Sequence, residues 1–73
     1  MNLEKVLEIA NVCIENELIP TENLIITYKL DKDIHKKLDE ELFYNKNNNL
    51  TNFTHNDLIE INVAGIIFIF EIV

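Results

Sequence analysis

The sequence predicts an α+β protein with the element order α-β-α-β-β, and three observations carry that reading. Two segments, residues 3–17 and 32–45, repeat apolar side chains at helical spacing. Two others, Leu24 to Leu30 and Leu58 to Val63, alternate at strand spacing. The third observation is the apolar run Ile66-Ile67-Phe68-Ile69-Phe70, which leaves no polar face at all. A half-buried strand alternates, so a run apolar on both sides belongs in the middle of a sheet.

The first helix starts at Asn2, a good N-cap, and places Leu3, Val6, Leu7, Ala10, Cys13 and Ile14 on one face. Glu4, Glu8 and Glu15 form the opposite, acidic stripe, while Ile9 and Val12 fit neither side. Pro20 disfavours helical geometry at Ile19 and opens a turn. The strand over Leu24 to Leu30 follows, with Leu24, Ile26, Tyr28 and Leu30 on one face.

Asp31 or Asp33 caps the second helix, whose expected apolar stripe is Ile34, Leu38 and Leu42. Lys36 with Glu40, and Lys37 with Glu41, are spaced for ion pairs one turn apart. Asn45-Lys46-Asn47-Asn48-Asn49 ends that helix, and residues 45–57 read as a long irregular loop. The last two strands form a hairpin through Ala64-Gly65, where Gly accepts a positive φ. The expected architecture is a three-stranded sheet with the last strand central and both helices packed on one face. The connection through the second helix is expected to be right-handed.

Seventy-three residues are one domain's worth of chain, with a small core. With Cys13 as the single cysteine, no disulfide forms within the chain. Oligomerisation is the remaining way to steady so small a core. The two-faced strand fits it: Ile67, Ile69, Phe68 and Phe70 are the expected interface of a homodimer or higher homo-oligomer. The outer sheet face or the edge of the C-terminal hairpin would make the contact.

The net charge is −7 and all six basic residues are Lys. Nucleic-acid binding needs clustered cations, with Arg the best reader, so direct binding is not expected. An acidic surface suits a basic protein partner. The start of the chain lacks a basic signal-peptide region. The apolar run at residues 66–73 is far short of the about 20 residues of a membrane-spanning helix. A cytoplasmic location and no membrane contact are the expectation.

Candidate chemistry is sparse. His35, Asp39, His55 and Asp57 form a composite metal set on paper, but surface His and Asp more often face water. Cys13 lies on the apolar stripe of the first helix, where an inert buried thiol is the ordinary outcome. No nucleophile triad or Gly-rich phosphate loop appears. Neither an enzymatic activity nor a cofactor is expected.

Two surfaces remain for binding. The acidic face is Glu4, Glu8 and Glu15; the loop and its aromatics contribute Tyr44, Asn48 and Phe53, with Tyr28 and Phe43 expected near them. In its general character the chain is similar to small accessory proteins encoded by bacteriophages: short, acidic, α+β and without a catalytic motif. That resemblance is one of composition and implies a protein that binds, and thereby inhibits, a host protein. The alternatives are a small-molecule binder, for example of a nucleotide, with pockets between subunits, and a structural or assembly protein.

Overall fold

The computed structural model describes residues 1–16, 24–45 and 50–73. Helix α1 (Leu3–Glu15) is followed by strand β1 (Leu24–Leu30) and helix α2 (Lys32–Tyr44). Strands β2 (Leu50–His55), β3 (Leu58–Val63) and β4 (Ile66–Ile72) complete the order. They form one mixed sheet, β1-β4-β3-β2. β4 runs parallel to β1 and antiparallel to β3, and β3 is antiparallel to β2.

The α+β class and the central place of the last strand agree with the sequence. The strand count does not: among the described residues the sheet has four strands, not three. Residues 50–55, expected within an irregular loop, pair with β3 from Leu50↔Val63 to His55↔Leu58. The reason is compositional. β2 is an edge strand in which only Leu50 is buried, so it lacks the apolar alternation that announces a strand. Thr51, Phe53 and Thr54 still favour extended backbone, and β3 supplies the hydrogen bonds. One consequence is a second correction. The outer side of the C-terminal hairpin is no free edge, because β2 occupies it.

Each described helix end has an identifiable local cause. Asn2 is extended (φ −143°), and its side-chain oxygen accepts from the Lys5 N–H at 2.8 Å. Such a cap is worth about 1 kcal/mol. Asp31 occupies the cap position of α2 by its backbone alone; its carbonyl accepts from the His35 N–H at 2.9 Å. Asn45, with ψ 135°, leaves helical geometry and ends α2. The turn expected at Pro20 lies outside the described residues.

The β3–β4 turn uses two left-handed residues, Ala64 (φ 53°) and Gly65 (φ 87°). Positive φ at both positions matches the right-handed twist of a two-residue hairpin. The Gly65 N–H donates to the Asn62 side-chain oxygen at 3.1 Å, which braces the turn.

Burial alternates along β3 and along β4 as far as Glu71, and so identifies the covered face of the sheet. Ile59, Ile61 and Val63 of β3 join Ile66, Phe68 and Phe70 of β4 in one cluster with Val6, Ala10 and Cys13 of α1 and Leu38 and Leu42 of α2. Both helices therefore lie over the same face. Tyr28 stacks on Phe70, its register partner across β1 and β4, with ring centroids 5.5 Å apart. Phe68 and Phe70, expected among the interface residues, are fully buried beneath the helices. Only Ile67 and Ile69 of that set lie on the outer face.

The inward stripe of α2 also differs from expectation. It runs His35, Leu38, Leu42, and Ile34 is turned partly outward. A spacing of three followed by one of four holds closer to one side of a helix than two successive spacings of four. No described helix is long and apolar enough to cross a membrane.

Candidate partner-binding surfaces

The layered fold creates two unlike surfaces: the outer side of the helices and the bare side of the sheet. The helix side is acidic. Glu4, Glu8 and Glu15 are exposed along α1, and Asp39, Glu40 and Glu41 along α2. Across residues 1–16 and 31–45, eight carboxylates face four lysines. The ion pairs expected within α2 do not form. Among the described residues the one ion pair is Lys5 with Glu8, at 3.5 Å and well exposed.

The α2 carboxylates make other contacts. Glu41 Oε2 accepts from the Leu3 N–H at 2.9 Å. Leu3 opens α1, where N–H groups lack helical partners and the helix dipole favours negative charge. Glu41 thus holds the start of α1 against the end of α2. Asp39 Oδ1 accepts from Thr54 Oγ1 at 2.9 Å, which ties α2 to the edge strand β2.

Beside the Glu41 contact lies an open groove of about 600 Å³ lined by Leu3, Lys37, Glu40, Glu41, Tyr44 and Asn45. Tyr44 lines it, and Phe43 meets Tyr44 edge to face with centroids 5.1 Å apart. They are 81% and 77% exposed. The position follows from the sequence: α2 buries residues 35, 38 and 42, and the next two residues point away from that stripe.

The side of the sheet left bare by the described helices is apolar along β1 and β4 and polar at Glu60 and Asn62 of β3. Register places Ile25 beside Ile67, and Ile67 beside Asn62. The next row is Thr27, Ile69, Glu60 and Phe53. Lys29 is the partner of Glu71, and Leu58 of His55. Ile25 is 59% exposed and Phe53 58%. Phe53 stacks on His55 along the same edge strand, at 6.1 Å.

The structure therefore separates residues that sequence reasoning grouped. Glu4, Glu8 and Glu15 share the exposed side of α1, as expected. Tyr44 belongs to the helix side and Phe53 to the bare sheet face, and Asn48 lies outside the described residues. The aromatics form separate contacts, Tyr28 with Phe70, Phe43 with Tyr44, and Phe53 with His55, rather than one cluster. Ile25 lies on the outward face of β1, as its alternation with Leu24 and Ile26 implies.

The composite His35/Asp39/His55/Asp57 set is not assembled. His35 faces the core, whereas His55 is on the opposite face of the sheet and Asp39 on the helix side. Among the described residues no three His, Cys, Asp or Glu side chains converge as metal ligands. Cys13 is a buried free thiol. No protein-family model matches the chain, and no curated protein or solved structure matches it.

Proposed function

We propose that this protein is a small acidic binding module that engages a cationic protein through its helix side, and by covering that partner's basic surface inhibits it. Its setting is the cytoplasm, as a phage-type accessory protein, and it carries out no reaction of its own. The observation that supports this most directly is the Phe43–Tyr44 pair, almost wholly exposed beside a groove walled by Glu40 and Glu41. Two adjacent aromatics give up burial in a domain with little apolar material to spare. Aromatic side chains are enriched among the anchors of protein–protein contacts. The surrounding carboxylates steer a cationic surface to those anchors and make the association sensitive to salt.

The test is affinity capture from the protein's own source, with circular dichroism to confirm folding of each variant. The wild type is expected to retain a basic protein that elutes as salt is raised. Glu4→Lys with Glu8→Lys and Glu15→Lys should lose it, as should Phe43→Ala with Tyr44→Ala. Cys13→Ser and His55→Ala should keep it. Retention by the charge-reversed and aromatic variants alike would remove the helix side from the function.

One observation favours a second reading, a small-molecule site between subunits. A hollow of about 590 Å³ lined by His55, Asn56, Asp57, Leu58, Glu71 and Ile72 lies at the rim of the bare sheet face. Its volume is in the range of small-molecule sites. A small molecule retained in a native mass spectrum of the protein from its own source would favour this reading.

A further inference from the structure

We propose that the bare face of the sheet is the interface of a homodimer, in which two copies stack sheet on sheet about a two-fold axis near Ile69 with their helices outward. This goes beyond the partner reading above and is independent of it, because it uses the opposite side of the molecule.

Ile25, Ile67 and Ile69 form an apolar patch on the outward side of β1 and β4, and Phe53 stands apart from it on β2, across Glu60 of β3. Neither described helix covers it. Contiguous apolar patches of this kind mark interaction sites.

Charge selects the occupant. The chain carries thirteen carboxylates, and eight of them lie at residues 1–16 and 31–45, in α1, in α2 and at its cap. On the bare face Lys29, Glu60 and Glu71 are the only Lys, Asp or Glu side chains along the outward positions of the four strands. A cationic partner is therefore drawn to the helix side. A second copy, itself strongly acidic, is repelled less at this nearly neutral face than at the described helix side. Face-to-face stacking also sets the two acidic helix layers at the greatest possible separation. Lys29 makes no ion pair among the described residues, so its ammonium is available to the partner's Glu60 or Glu71.

Area argues for a dimer that dissociates on dilution. Four strands spaced by about 4.8 Å, with six or seven residues rising about 3.3 Å each, present roughly 20 × 20 Å once side chains are included. Two such faces bury on the order of 800 Å² in total, in the range of weak and transient contacts. Aligned sheets pack about 10 Å apart, which brings Ile69 of each copy close to the axis and to its own counterpart.

The experiment is sedimentation equilibrium of the full chain from about 1 μM to about 500 μM, a span covering dissociation constants typical of such small interfaces. The wild type is expected to move from 8.6 kDa toward twice that mass. Ile69→Lys sets two ammonium groups against each other at the axis and should remain monomeric throughout, with unchanged circular dichroism. Glu8→Lys, on the helix side, should dimerise like the wild type. As a readout that does not depend on that variant folding, Ile69→Cys should cross-link to a dimer with a bismaleimide of about 8 Å span, matched to the sheet separation. A wild-type mass fixed at 8.6 kDa overturns the proposal. So does dimerisation of Ile69→Lys, or failure of Ile69→Cys to cross-link. Open-ended assemblies that grow with concentration would instead indicate pairing through the outer edge of β1, which no described strand covers, and likewise overturn it.

Discussion

Thr54 Oγ1 donates to Asp39 Oδ1 at 2.9 Å, and this one bond joins the edge strand β2 to helix α2. Only Leu50 of β2 enters the core, so the strand is held by its backbone pairing to β3, by that single apolar anchor and by this bond. The side of β2 that carries Thr54 looks toward the helices; the side that carries Phe53 and His55 looks away.

The first prediction concerns that bond. Both groups are exposed, so solvent competes for them. A double-mutant cycle of Thr54→Val and Asp39→Asn, followed by urea unfolding, should give a coupling of about 0.5–1 kcal/mol. Amide exchange in β2 should accelerate in Thr54→Val before that in β4. A coupling of zero would mean that backbone pairing alone holds the edge.

His35 is the next case. It is 6% exposed, and its Nε2 finds no hydrogen-bond partner among the described residues. A buried polar atom left unpaired costs about 1–3 kcal/mol. Replacement by Leu, of comparable bulk, removes that cost, so His35→Leu should raise stability by about 0.5–1.5 kcal/mol. Leu38→Ala, one turn along the same stripe, should lower it by about 2–5 kcal/mol. A clear loss in His35→Leu would show that Nε2 is satisfied in solution by a bound water.

These two cases also show where the sequence is readable. The central place of β4 follows from apolar residues at successive positions, because two faces can be apolar only where both are covered or one awaits a partner. Which set faces the helices does not follow from alternation. Volume decides it: Phe68 and Phe70 fill the space beneath two helices, and the smaller Ile67 and Ile69 are left outside. β2 escaped notice because an edge strand with one buried residue has no pattern to display. His35 was hidden because hydrophobicity scales favour Ile34 for the core, although the spacing to Leu38 and Leu42 places the histidine there. The acidic stripe of α1 was legible from spacing alone. The Phe43–Tyr44 pair was legible as off the stripe but not as exposed, since exposure depends on what the neighbouring elements cover.

The hairpin turn offers a stabilising change. Ala64 sits at φ 53°, a conformation that costs an L-residue with a Cβ about 1–2 kcal/mol. Asn tolerates the left-handed region better, and Asn-Gly is the preferred pair for a turn with two positive φ values. Ala64→Asn should therefore raise stability by roughly 0.5–1 kcal/mol, read as a higher urea midpoint with an unchanged slope. Ala64→Val, β-branched in the same position, should lower it. If both substitutions prove neutral, the turn is not held in this geometry in solution.

The last prediction sets two phenylalanines on opposite faces of the same sheet against each other. Phe68 is fully buried on the central strand, whereas Phe53 is more than half exposed on the edge strand. Phe68→Ala should lose about 3–5 kcal/mol, a large part of the stability of any small domain, because it opens a cavity beneath both helices. Phe53→Ala should change unfolding by no more than about 0.5 kcal/mol when measured near 1 μM, where copies are kept apart. At high concentration the ranking of effects changes. Phe53 lies in the same outer row as Ile69, so its truncation should weaken self-association while leaving the fold intact. Unfolding curves at two concentrations separate these effects: the wild type should gain stability as concentration rises, and Phe53→Ala should gain less. Equal gains for both proteins would remove Phe53 from the contact and confine the interface to the β1–β4 half of the face.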